Sequence, residues 1–287
     1  MSRKRLLIIL GPTAVGKTGF SISVAQKYGS PVISCDSRQI FREMSIGTAV
    51  PSASQLAAVK HYFIQSRSVT DNYTAGKYEL EAVDLIERLF AEGHDTLVMA
   101  GGSGFYIDAV CKGLDDFPPA DPLLREDLMH RLRTEGVESL RLDLRRLDPE
   151  SYASIDIANG QRVVRALEVC IMTGRKFSSF KTSSVKKRSF SIIKLGLTRP
   201  RDELYDRINS RVLQMVDDGL VDEVRSLVEY RTLPALQTVG YREIFSYLDG
   251  DITLPRAIEL IQRNTRHYAK RQMTWWGRDK DIFWKEL

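Results

Sequence analysis

The first apolar run of the chain, Leu6-Leu7-Ile8-Ile9-Leu10, is continuous rather than alternating, and so is Thr96-Leu97-Val98-Met99-Ala100. Short continuous runs of this kind predict strands buried on both faces, as in a parallel sheet. Pro31-Val32-Ile33-Ser34-Cys35 reads as a third short strand. Between them the period changes from strand to helix. Phe20, Val24 and Tyr28 recur at helical spacing with Gly29 as a stop, and Ala82, Val83, Ile86, Leu89 and Phe90 give residues 77–92 one apolar face. Strand, helix, strand predicts a βαβ unit and an α/β fold. Residues 42–75, broken by Gly47, Pro51 and Asn72, read as loop-rich.

The pattern shifts at Leu114-Asp115-Asp116-Phe117-Pro118-Pro119, a connector. Beyond it, residues 121–136 are helical and charged, and residues 161–173 are helical with Val164, Leu167, Val169, Ile171 and Met172 apolar and Gly174 as a stop. Residues 175–189 are basic and serine-rich, including Lys186-Lys187-Arg188. Residues 114–190 therefore predict a mostly helical insertion in a core built from residues 1–113 and 191–287. Residues 190–197 alternate as a strand and return the chain to the sheet. A helix from Arg201 carries Leu204, Ile208, Val212 and Met215 on one face, residues 238–243 read as a tight turn, and a last long helix runs from Pro255 to Trp276.

Composition narrows the class. The chain has 287 residues, 43% hydrophobic and 28% charged, which suits a globular protein with a large core. No run approaches the roughly eighteen apolar residues of a membrane helix, and the basic start leads into a strand rather than a signal peptide, so no membrane partner and a cytoplasmic location are expected. Cys35, Cys111 and Cys170 form no CxxC pair and read as reduced thiols, and His61, His94, His130 and His267 show no zinc spacing. A net charge of +5 is a hint of an acidic partner, and a monomer is the default. There is no internal repeat.

The chemistry starts at Gly11-Pro12-Thr13-Ala14-Val15-Gly16-Lys17-Thr18, a full GxxxxGK[ST] between a predicted strand and a predicted helix. Such a loop turns backbone N–H groups toward one point, Lys17 supplies a point charge, and the Thr18 hydroxyl can hold a metal or a bridging oxygen. A polyphosphate is expected here. Asp36, at the end of the next strand, lies beside the loop mouth, where ligands of such sheets bind; it reads as a base or metal ligand, or as a turn aspartate. P-loop ATPases end a buried strand in an acid that orders magnesium; here that strand runs into Gly101-Gly102-Ser103-Gly104. Arg207 and Arg211 share a helix face and read as a phosphate clamp or as a solvent-exposed stripe. Arg263, His267, Lys270 and Arg271, with Tyr268 and Trp275-Trp276, suit an RNA backbone with base stacking, or a helix with its aromatics in the core. A small-molecule kinase and a non-catalytic RNA-binding protein remain the rival readings.

Taken in order, these pieces resemble the tRNA isopentenyltransferase (tRNA dimethylallyltransferase) family, in a bacterial-type minimal form. The matching stretches are residues 11–18, Asp36-Ser37-Arg38-Gln39, Ile46-Gly47-Thr48-Ala49, Gly101-Gly102-Ser103-Gly104-Phe105-Tyr106, Ala120-Asp121-Pro122, Gln161-Arg162-Val163-Val164-Arg165, Val239-Gly240-Tyr241-Arg242 and Lys270-Arg271-Gln272-Met273-Thr274-Trp275. The resemblance implies a P-loop NTPase-like core and transfer of a dimethylallyl group from dimethylallyl diphosphate to N6 of the adenine next to the anticodon, with Mg²⁺ held through the diphosphate at Thr18. It implies Asp36 as general base, Thr18 on the released oxygen, and residues 11–18 with Arg211 on the diphosphate. It implies tRNA contacts, centred on the anticodon stem-loop, from Asp36, Ser37, Arg38, Gln39, Ser103, Arg125 and Gln161-Arg162-Val163-Val164-Arg165. Gln237-Thr238-Val239-Gly240-Tyr241-Arg242 and Lys270-Arg271-Gln272-Met273-Thr274-Trp275 complete that set. The chain departs from the family at Val50, where lysine is usual, at Ser103, where threonine is, and at Gly277, where an arginine is shifted to Arg278.

Overall fold

A computed structural model describes residues 4–182 and 184–287; Met1, Ser2, Arg3 and Ser183, which fall within the two predicted domains, lie outside the described residues. The chain divides into two compact units, Met1–Cys111 with Lys187–Leu287, and Lys112–Lys186.

The first unit is built on a six-stranded sheet of β1 (Arg5–Leu10), β2 (Val32–Ser34), β3 (His61–Tyr62), β4 (Thr96–Gly101), β5 (Ser191–Thr198) and β6 (Ile282–Glu286), in the order β3-β2-β4-β1-β5-β6 with every described pairing parallel. Its helices are α1 (Lys17–Tyr28), α2 (Ala53–Ala58), α3 (Ala75–Ala91), α4 (Gly104–Lys112) and, past the second unit, α9 (Arg201–Asp217), α10 (Leu220–Arg225), α11 (Tyr241–Leu248) and α12 (Leu254–Trp276). The continuous apolar strands are explained by cover on both faces. Leu6, Ile8 and Leu10 pack with Ala82, Ile86 and Leu89 of α3 and with Ile107 and Val110 of α4. Ile9 and Val98 pack on the other side with Ala25 of α1, Ile208 of α9 and Ala269 of α12. β1 lies between β4 and β5, so the loop after it opens at the carboxyl edge of the sheet, flanked by the ends of both neighbours.

The second unit holds α5 (Pro122–Thr134), α6 (Val137–Leu147), α7 (Pro149–Ser154) and α8 (Gly160–Thr173) around Leu128, Leu140, Leu144, Val163, Val164 and Leu167. Asp148 is fully buried at the start of α7 and accepts from the N–H and hydroxyl groups of both Ser151 and Ser178.

Several elements differ from the sequence expectation. Residues 42–75 contain α2, closed by a Ser52/Gln55 capping box, and the edge strand β3. α4, for which no helix was expected, follows β4 after the glycine-rich stretch. The turn expected over residues 238–243 ends at Gly240, because Glu243 caps that N–H and starts α11. β6 closes the sheet although its residues are mostly exposed, since β5 supplies its ladder. Among the described residues no helix is long and apolar enough to cross a membrane.

Candidate active site

The phosphate loop leaves β1 and enters α1 through two left-handed residues, Ala14 (φ 65) and Gly16 (φ 112). Alternating handedness of this kind points successive N–H groups inward as an anion nest. Gly16 suits its position, whereas Ala14 is strained there by its Cβ. The loop is held from behind by cations: Arg207 Nε donates to Ala14 C=O (2.8 Å), Arg199 Nε to Val15 C=O (2.9 Å), and Lys17 Nζ to the carbonyls of Gly11 (2.9 Å) and Pro12 (2.8 Å). With these carbonyls tied back, the loop N–H groups other than those of Thr13 and Val15, which bond to Gln272 Oε1 and Pro12 C=O, are left for a ligand. No side chain caps the first turn of α1, so the amides there are open as well.

Lys17 is buried, which lowers its pKa to about 8 against the pull of Asp36; Arg211 adds to the lowering. It remains mostly charged at neutral pH. Burial and the neighbouring Arg207 likewise hold the Arg211 pKa below its usual value. Two arginines and a lysine beside a nest make an electropositive pocket without a bound counter-charge of its own strength, the setting a diphosphate needs.

Asp36 follows β2 by two residues. It is a turn aspartate, with Oδ1 accepting the N–H groups of Arg38 (2.8 Å) and Gln39 (3.3 Å), and it also lines the cavity that holds Lys17 and Thr18. No hydrogen bond reaches its Oδ2 among the described residues. Ser103 accepts the Ser37 N–H (2.9 Å) and donates to the Ser37 hydroxyl (3.0 Å), tying the end of β4 to the same turn. Gln39 donates to the carbonyls of Thr48 (3.1 Å) and Ala49 (2.9 Å). The loop carrying these carbonyls is fixed by Glu223 of α10, which accepts the N–H groups of Ser45 (2.9 Å), Ile46 (2.7 Å) and Gly47 (3.0 Å) and the Tyr241 hydroxyl (2.7 Å). Sequence reasoning missed Glu223, because its partners lie up to 178 residues away and no local pattern marks it.

These parts enclose one cavity of about 1100 Å³. Its lining includes Thr13, Lys17, Thr18, Asp36 and Arg211 together with the apolar Ile46, Val50, Leu56, Ile64 and Met215.

The residues expected at tRNA divide by exposure. On α12, Lys270, Arg271 and Thr274 are exposed on the same side as Arg263 and His267. Trp275 is half-buried, its Nε1 bonded to Asp108 (3.1 Å); Arg278 stacks 3.8 Å from its ring centre and also reaches Asp108 (3.2 Å). Gln237 and Arg242 are exposed, Thr238, Val239 and Met273 partly so, and Arg38 reaches Pro234 C=O (3.1 Å). Within the second unit, Gln161 and Arg162 are exposed at the start of α8, while Arg125 (3.3 Å) and Arg165 (2.6 Å) bind the fully buried Glu168. Five of the residues expected at tRNA are buried. Val163 and Val164 are core residues of the second unit, Tyr241 is fully buried against Glu223, and Gln272 is 5% exposed with both amide ends bonded inside the protein. Gly240 is buried too. None of the five presents an exposed side chain.

The chain was compared with known proteins. A model of the family described as IPP transferase matches residues 39–279. The protein named tRNA dimethylallyltransferase 1 of Bacteroides thetaiotaomicron is 49% identical over 279 residues, covering 97% of this chain and 90% of its own. The protein named tRNA dimethylallyltransferase 2 of Porphyromonas gingivalis is 50% identical over 279 residues, covering 97% and 93%. Among solved structures, the full-length tRNA isopentenylpyrophosphate transferase of Bacillus halodurans superposes with a TM-score of 0.71 at 36% identity, over 99% of this chain and 90% of that one. A eukaryotic dimethylallyltransferase described as acting on tRNA gives a TM-score of 0.82 at 25% identity, over 99% and 74%.

Proposed function

We propose that this chain, which belongs to the IPP transferase family, transfers a dimethylallyl group from dimethylallyl diphosphate to N6 of the adenine next to the anticodon of tRNA. The observation that carries the reading is a single cavity in which an anion nest with Lys17 and Thr18, the Asp36 carboxylate and apolar residues meet. A kinase would also use the nest, but the relatives and solved structures that match this chain are named as tRNA transferases.

In this reading the diphosphate lies on the loop amides, Lys17 and Arg211, and the dimethylallyl tail lies toward Ile46, Val50 and Met215. The bond from the allylic carbon to the diphosphate oxygen breaks as the bond to the adenine nitrogen forms. Charge grows on the leaving diphosphate, where the nest and the cations already point, so stabilisation rises toward the transition state. The exocyclic amine loses a proton in the same step, and Asp36 Oδ2, with no hydrogen-bond partner among the described residues, receives it. The adenine must leave its stack to reach the carbon. Thr18 lines the same cavity, and its hydroxyl would help to hold a Mg²⁺ ion. When bound, the ion neutralises charge on the diphosphate. A monomer working in the cytoplasm, where tRNA is processed, suffices for this chemistry.

The test is incubation with unmodified tRNA, Mg²⁺ and dimethylallyl diphosphate, followed by nucleoside mass analysis. A prenylated adenosine is expected; hydrolysis of ATP or phosphate transfer in its place would favour the kinase.

A further inference from the structure

We infer that Gln272 is a positioning residue of the phosphate loop and not a contact to RNA. The inference rests on the reading of that loop as the diphosphate site. Gln272 lies on α12 with its side chain turned into the sheet edge and only 5% of the residue exposed. Its Oε1 accepts the N–H of Thr13 at 2.9 Å, and its Nε2 donates to the carbonyl of Gly102 at 2.9 Å. One amide side chain therefore joins the loop after β1 to the end of β4, its neighbour in the sheet.

Two consequences follow from this geometry. The Thr13 N–H is satisfied by a neutral oxygen at the start of the loop, which fixes that peptide plane and sets the direction of the amides after it. The end of β4, where P-loop ATPases place an acid, is closed to side chains. A Cβ on Gly102 would fall 2.4 Å from Gln272 Nε2, and one on Gly101 would fall 2.6 Å from Cys35 Sγ. The glycine pair thus makes room for the packing of Gln272 and Cys35, and both glycines also line the cavity. An RNA contact by Gln272 would require breaking both internal bonds and exposing a buried amide.

Gln272→Met keeps the length of the side chain and removes both hydrogen bonds. Its affinity for inorganic diphosphate with Mg²⁺, read by calorimetry, is expected to fall on the order of tenfold, since a buried N–H and a C=O lose their partners. Its affinity for unmodified tRNA, read by anisotropy, is expected to stay within roughly twofold. Gly102→Ala, which displaces the same amide, is expected to give the same split and carries the test if Gln272→Met does not fold. Unchanged diphosphate binding in the folded variants, or a loss confined to tRNA, would overturn the inference. Because the probe is inorganic diphosphate, this result is independent of whether the wild-type protein prenylates adenosine.

Discussion

Under the proposed mechanism, Asp36 divides its two oxygens between structure and chemistry. Oδ1 closes the turn at Arg38 and Gln39, and the carboxylate lines the cavity beside Lys17. Asp36→Asn keeps an acceptor for the turn and removes the base. Turnover is expected to fall by about 10² to 10⁴, with diphosphate and tRNA affinity changed by less than roughly threefold; kinetics and binding on the same preparation check this, and near wild-type turnover would remove Asp36 as the base. Arg207 acts on the loop rather than on the ligand alone, because its Nε holds Ala14 in a left-handed conformation. Arg207→Met is expected to raise the KM for the diphosphate donor by about tenfold, or about 1.4 kcal/mol, at the lower end of the roughly 1–3 kcal/mol of strain that then lacks support, while the tRNA KM stays put. Steady-state kinetics with each substrate varied in turn separates these.

At the scale of elements, the site is a set of loops held by distant helices. No residue of α10 lines the cavity, yet Glu223 gathers three backbone N–H groups and the Tyr241 hydroxyl around the loop at residues 45–47. Glu223→Gln halves the acceptor capacity there and leaves N–H groups unpaired. A lower kcat with a melting temperature reduced by only a few degrees is expected, measured against Asp36→Asn in a double-mutant cycle, where coupling is expected to be positive because Gln39 links the loop to the turn. In the second unit, burial raises the pKa of Asp148 but four hydrogen bonds from Ser151 and Ser178 outweigh it, so the net pKa lies below the usual carboxylate value. A depressed folded-state pKa contributes stability above the unfolded-state value of about 3.9 that is lost as pH falls through the folded one. Asp148→Asn is therefore expected to lower the melting temperature at pH 7 and to lose that difference toward pH 3, as thermal melts across pH would show. β1, β2, β4 and α1 were legible in the sequence because buried parallel strands and a capped helix are local patterns. Lys17 and Asp36 were legible for the same reason. α2, β3 and β6 were not, since two-residue pairing and edge position come from neighbours. The internal bonds of Gln272 were not legible, because a motif names a residue but not its direction, and its bonds to Thr13 and Gly102 span 259 and 170 residues.

For the whole molecule, a net charge of +5 has meaning only through its placement. Exposed cations gather on α12 at Arg263, Lys270 and Arg271, and in the second unit at Arg162. If these meet phosphates, each removed charge reduces the slope of log affinity against log salt by about 1. The account depends most on one claim, that the P-loop cavity carries out prenyl transfer to tRNA and not phosphoryl transfer. The most direct measurement is mass analysis of nucleosides from tRNA incubated with the protein, Mg²⁺ and dimethylallyl diphosphate, alongside the Asp36→Asn variant. A prenylated adenosine in the wild type and almost none in the variant is the expected result. No prenylated adenosine from correctly folded wild-type protein, with ATP consumed in a parallel reaction, would contradict the account.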